Sequence, residues 1–204
     1  MARRRSRKDA RKEVRKVEER GATKAKRTKR ILYLGLIVLV VSALILVIVL
    51  SPRGGTGVNV GQQARDLSVT DTNGSVFQLS ALRGQVVLVD WMGTNCPPCR
   101  IQMPELVAFH EAFQARGLAM ISIDMSDFGA RLAAESEGQA VAFLAEFGAQ
   151  WPIALERTGL ATRYGVVDIP TIMIVDPNGL IVFKESGVHA FEELSAVVEP
   201  LLSS

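Results

Sequence analysis

Residues 86–100 read VVLVDWMGTNCPPCR, and the fold is decided by what this stretch becomes. Val86–Trp91 is a continuous apolar run of strand length, the pattern of a strand buried on both faces. It leads within five residues to Cys96-Pro97-Pro98-Cys99, the only two cysteines in 204 residues. From Pro97 to about Arg116 the chain reads as helical, with an interruption expected at Pro104. The pair therefore sits at the carboxyl end of a buried strand and at a helix N-terminus. A disulfide closing so short a loop stabilises little, which argues against a purely structural cross-link. One C-x-x-C with His110 and His189 elsewhere does not make a four-ligand zinc site. A redox device remains, with no metal and no cofactor expected.

That position assigns roles. The thiolate is the attacking species, and the free N–H groups and dipole of a helix N-terminus favour it. Cys96, at the N-cap, is expected to be the exposed nucleophile with a lowered pKa. Cys99, one turn in, is expected to be the buried thiol that resolves the mixed disulfide. Pro97 and Pro98 suit a first helical turn, where an N–H has no partner within the helix. They also withdraw two donors from the Cys96 sulfur, which points to a reducing pair. Asp90 stands six residues before Cys96. A carboxyl on a central strand is costly unless paired or neutral, and a raised pKa suits it to take the Cys99 proton. The alternative is a carboxyl merely tolerated through hydrogen bonds at the strand end.

Outward from this centre, strand and helix signals alternate. Leu67–Thr70 and Val76–Leu79 flank Asp71-Thr72-Asn73-Gly74, a hairpin signal. Leu118–Ile123 reads as a second buried strand, Gln139–Phe147 as a helix and Trp151–Leu155 as a short strand. Thr171–Val175 and Leu180–Lys184 flank Asp176-Pro177-Asn178-Gly179, a second hairpin, and Phe191–Leu202 closes as an amphipathic helix. The order implies an α/β fold with a central mixed sheet covered on both faces. Residues 124–138 read as a loop-plus-helix insertion. His110 and His189 read as surface or capping residues.

The N-terminal quarter has another composition. Residues 31–50 (ILYLGLIVLVVSALILVIVL) hold no charge and no proline, and about 20 helical residues match the roughly 30 Å bilayer core. Residues 1–30 carry 15 Lys and Arg against 4 acids, a balance of +11, whereas the remainder is −8. A basic block before an apolar span marks the cytoplasmic side, so residues 51–204 are expected outside. The arm has no aromatic residue to stack on bases, so anionic lipid is its expected partner and nucleic acid is not. No small-x-small cleavage pattern follows the span, which favours a retained anchor over a signal peptide. The expected organisation is a basic arm (1–30), a transmembrane helix (31–50), a linker (51–60) and an extracytoplasmic domain (61–204).

The stretch Val89–Arg100 (VDWMGTNCPPCR) resembles the active-site region of the TlpA/ResA-type thioredoxin-like family. So do Leu79–Gly84 (LSALRG), Met103–Leu106 (MPEL), Tyr164-Gly165-Val166 before Ile169-Pro170-Thr171, and the Asp176–Gly179 turn, over residues 61–202 together. The resemblance implies a thioredoxin fold with an extra N-terminal β-hairpin, tethered to a membrane and reducing disulfides outside the cytoplasm, commonly for cytochrome c maturation. It implies recharging by a membrane electron donor of the CcdA or DsbD kind. Pro170 matches the family's cis-proline, and the Ile169 backbone is expected to pair with a substrate chain. Trp91, Asn95, Pro97 and Pro98 complete the expected substrate surface, with Trp91 and Met92 acting chiefly by packing. Three positions depart from the family. Asn95 replaces the usual Trp. Gln102 replaces a Glu and cannot shuttle protons. Asp90 matches thioredoxin, where many relatives have Asn.

Thr94-Asn95-Cys96 resembles a peroxiredoxin site only faintly, since T-x-x-C spacing is absent. The leading expectation is a thiol–disulfide oxidoreductase acting on extracytoplasmic disulfide-containing proteins. A disulfide-forming oxidase, a thiol peroxidase, and a redox sensor or copper-handling module are the alternatives.

Overall fold

In the computed structural model, residues 35–43, 55–125 and 137–202 are described. Residues 35–43 are helical (α1) and lie inside the apolar stretch expected to span a membrane. Among the described residues no helix is long and apolar enough to cross a membrane. The basic arm, the rest of the apolar stretch and most of the insertion expected at 124–138 lie outside the described residues.

Arg53–Ser204 forms one compact unit. Its spine is a five-stranded mixed sheet of β5 (Val86–Met92), β6 (Leu118–Asp124), β7 (Ile153–Leu155), β8 (Thr171–Val175) and β9 (Ile181–Ser186), in the order β7-β6-β5-β8-β9. β5, β6 and β7 run parallel, while β8 pairs antiparallel with both β5 and β9. Every residue of β5 is buried, as the run VVLVDW predicts for a central strand.

The two faces bury separate clusters. Val86, Leu88 and Met92 face helices α2 (Pro97–Phe113), α3 (Glu137–Phe147) and α5 (Phe191–Leu202). Val87, Val89 and Trp91 face the short helix α4 (Leu160–Arg163) and the N-terminal extension. Helix α2 buries Cys99, Met103, Leu106, Phe109 and Phe113, spacings of three and four that make one apolar stripe. It runs unbroken through Pro104, contrary to the expected interruption. Pro104 is exposed, so its ring and missing donor fall on the solvent side of the helix.

The N-terminal hairpin is present as β3 (Ser68–Thr70) and β4 (Val76–Gln78). Asp71 closes its turn by accepting from the Asn73 and Ser75 N–H groups at 2.9 and 2.8 Å, and Gly74 supplies a φ of 83°. The stretch before it is more ordered than a linker ending at residue 60. β1 (Thr56–Gly57) pairs parallel with β2 (Gln63–Ala64). The Gly61 N–H donates to Ile181 and the Ala64 N–H to Gly179, so this segment covers part of the edge beside β9.

Candidate active site

Cys96 caps α2 in an extended conformation (φ −101°, ψ 108°) and is joined to Cys99 by a disulfide. Pro97 and Pro98 fill the first two helical positions, and both are exposed with Asn95. The Cys99 N–H donates to Cys96 Sγ at 3.2 Å, the cap bond that a serine hydroxyl would otherwise accept. The prolines leave that donor in place, and it stabilises the thiolate when the bond is reduced. Cys96 is 6% exposed and Cys99 1% exposed. Both sulfurs are therefore buried in the disulfide form, and Cys96 is not the exposed thiol expected from the sequence, because the loop before β8 leans over it.

That loop carries the Ile169–Pro170 bond, which is cis. The Ile169 carbonyl oxygen lies 3.7 Å from Cys96 Sγ. Ile169 itself is half-buried, and the Pro170 carbonyl accepts from the Gly187 N–H at 2.8 Å. Chain segments separated by more than seventy residues thus meet at one sulfur atom.

Asp90 is 1% exposed and lies on the α2 side of β5, between Leu88 and Met92. Its Oδ2 accepts from the Ser122 hydroxyl at 2.8 Å, while Oδ1 is buried without a hydrogen-bond partner. Burial pushes its pKa from 3.8 up to about 7, against the opposing pull of the Ser122 bond. A carboxyl that titrates near neutrality, on the face where Cys99 packs, is equipped to exchange protons with a thiol.

Trp91, placed by the sequence on the substrate surface, lies away from the cysteine pair. It is fully buried on the opposite face, its ring 5.7 Å from that of Tyr164. Residues alternate along a strand, so with Asp90 toward α2 its neighbour must point away. Met92 does pack on the cysteine side, in contact with the cluster that holds both sulfurs.

Two features of the site have no local signature in the sequence. His189, expected to be a surface or capping residue, is buried, and its Nδ1 lies 3.1 Å from Glu193 Oε2. Gln102, read as the loss of a proton shuttle, makes a reciprocal amide pair with the His189 backbone. Its Nε2 donates to the carbonyl at 2.9 Å and its Oε1 accepts from the N–H at 2.6 Å. Only a side chain with both a donor and an acceptor closes that pair, which ties the second turn of α2 to the loop after β9. Gln102→Ala leaves both buried backbone groups unpaired and lowers stability by about 2 kcal/mol in urea unfolding. Gln102→Glu loses a comparable amount at neutral pH, where a carboxylate cannot donate, and regains it as the pH falls. Glu185, His189 and Glu193 bring one donor atom each within 4.8 Å of one another. His189 and Glu193 pair directly, Glu185 comes from β9, and neither cysteine takes part.

A dithiol of this kind can accept or release two electrons by exchange with another disulfide. Fold and cysteine pair together make the chain a thioredoxin-like thiol–disulfide oxidoreductase. It belongs to the AhpC/TSA family, whose model matches residues 60–184. It is similar to the thiol-disulfide oxidoreductase ResA of Bacillus thuringiensis (24% identical over 143 residues, 70% of this chain and 78% of that protein). It is also similar to the thioredoxin-like protein YneN of Bacillus subtilis (31% over 125 residues, 61% and 70%). Among solved structures, the thioredoxin domain of a thiol-disulfide oxidoreductase from Bacteroides vulgatus superposes with a TM-score of 0.60 at 25% identity, covering 71% of this chain and 98% of that one.

Proposed function

We propose that this chain is a membrane-tethered reductase that works outside the cytoplasm on disulfides in partner proteins, with apocytochrome c the partner class its family resemblance favours. The observation that carries the reducing direction is the composition of the first turn of α2. Two of its first three residues are prolines without an N–H, so Cys99 supplies the sole backbone donor of those three to Cys96 Sγ. Limited stabilisation of the thiolate keeps the dithiol a good electron donor, because a dithiol stabilised too strongly becomes an oxidant instead.

The reaction balances without a cofactor. Cys96 thiolate attacks the partner's disulfide, forming a mixed disulfide and expelling one partner thiolate. Cys99 gives up its proton and attacks Cys96 Sγ, closing the internal disulfide and expelling the second. Two electrons pass to the partner, and the enzyme is left in the form seen here. Tethering rests on the uncharged stretch 31–50 behind an arm of balance +11. Cytosolic reductants then lie across the bilayer, and recharging falls to a membrane protein of the CcdA or DsbD kind that relays electrons to the outer face. Equilibration in redox buffers is expected to give a potential near thioredoxin's, about −270 mV. A value near about −120 mV contradicts the reducing direction and favours a disulfide-forming oxidase.

A further inference from the structure

Ser122 stands directly opposite Asp90 in the β5–β6 ladder and is fully buried. Its oxygen receives the Trp151 indole N–H at 2.9 Å, and its hydroxyl bonds Asp90 Oδ2 at 2.8 Å. With Asp90 ionised, as it is before it takes a proton, the chemistry of the three groups fixes the direction of both bonds. An indole nitrogen can only donate, so the serine oxygen is the acceptor there. A serine hydroxyl has a single proton, and the remaining partner is Asp90. The proton therefore points at Oδ2, and Oδ2 is held as an acceptor. A proton arriving at the carboxyl is better placed on Oδ1, the oxygen that is buried without a hydrogen-bond partner, because protonation there leaves the Ser122 bond to Oδ2 intact.

We propose that Ser122, oriented by Trp151, is a positioning residue for the exchange reaction: it occupies Asp90 Oδ2 and leaves Oδ1 as the atom that takes the Cys99 proton. This rests on the reading of Asp90 as the proton acceptor. In the resolving step Cys99–SH and the Asp90 carboxylate become Cys99–S⁻ and the carboxylic acid. The thiolate then attacks Cys96 Sγ, the Cys96–Cys99 bond forms, and the bond from Cys96 to the partner breaks with the electron pair leaving on the partner's sulfur. Asp90 later returns its proton to solvent. The Ser122 bond favours the charged carboxylate, so it limits the rise that burial imposes on the acceptor.

The titratable groups on the elements around Asp90 are few. Asp124 is two residues along β6 on the same side as Ser122 and is also buried. Helix α2 brings Cys99 to this side of the sheet, its buried Gln102 amide being paired with the His189 backbone, and β8 places Ile172 opposite Asp90. His110 is half-buried with its ring 5.2 Å from that of Trp151, and burial lowers its pKa.

The test uses the full chain in detergent, reduced and then mixed with an aromatic disulfide whose released thiol absorbs visible light. The first equivalent released reports attack by Cys96, and the second reports resolution by Cys99. Ser122→Ala is expected to move the pH midpoint of the second phase upward by about one unit, the worth of a hydrogen bond to a charged group. Ser122→Thr retains the hydroxyl and stays near wild type, while Trp151→Phe shifts the midpoint upward by less. In an Asp90→Asn background Ser122→Ala produces no further shift. An unchanged midpoint in Ser122→Ala, with Asp90→Asn moving it, overturns the role of Ser122 alone. Should Asp90→Asn itself leave the second phase unaltered, the underlying reading of Asp90 fails as well. If Ser122→Ala does not fold, Trp151→Phe compared with Ser122→Thr decides the matter in the same way.

Discussion

Cys96→Ser abolishes turnover, with a loss of at least about a thousandfold in the reduction of a protein disulfide by an external dithiol. The reason is chemical. A serine at the N-cap preserves the cap bond from the Cys99 N–H, so α2 starts as before. A hydroxyl, however, is barely ionised at neutral pH, and an oxygen cannot form the mixed and internal disulfides through which the dithiol gives up its two electrons. Cys99 cannot substitute, being 1% exposed one turn inside the helix. Circular dichroism of the variant is expected to match wild type while the disulfide reductase assay falls to background. Retention of a substantial fraction of the activity would show that exchange does not begin at Cys96.

The second large effect concerns stability, and it runs opposite to the usual expectation for a site mutation. Asp90 in the oxidised protein has a pKa raised from 3.8 to about 7 by burial. Between those values an unfolded chain loses the proton while the folded one keeps it. Each pH unit in that window therefore costs the fold about 1.4 kcal/mol, as linkage requires when the native state binds more protons. The Asp90 contribution is intact below the unfolded pKa and is lost as pH rises toward 7. Above about pH 7 the deficit is constant, at most about 4 kcal/mol. Asp90→Asn removes the titration, so the variant is expected to be more stable than wild type at pH 8 by about 2–4 kcal/mol, with little or no gain at pH 4. The amide must still find a partner in place of the unpaired Oδ1, which reduces the gain. Urea unfolding of the oxidised proteins at the two pH values measures it. The same substitution slows resolution by Cys99, so stability and activity move in opposite directions at one residue.

Much of this was legible in the chain, for identifiable reasons. A run as apolar as VVLVDW has no polar face to offer, so it had to be a central strand, and the single Asp within it had to be a buried carboxyl. C-x-x-C after such a strand fixed the reaction class, and Ile169-Pro170 with a strand following marked the loop that meets it. What the sequence could not convey was partnership across long separations. Ser122 and Trp151 act on Asp90 only because the β5–β6 register sets Ser122 opposite Asp90 and β7 follows alongside, and no local pattern encodes a register. Gln102 looked like a missing acid until its partner, 87 residues away, was in view. Trp91 was misplaced because an uninterrupted apolar run hides which of its two faces the site occupies. Thr56–Gly57 showed no periodicity, since two residues paired to one neighbour are too short to have any.

The exchange mechanism itself is tested most directly by Cys99→Ala, expressed as the full chain in intact membranes. Without its resolving thiol, Cys96 should hold a partner protein as a mixed disulfide, visible as a higher-mass band that a reductant releases and that the Cys96→Ser, Cys99→Ala double variant lacks. No trapped protein, or trapping that survives loss of Cys96, would contradict dithiol exchange through this pair.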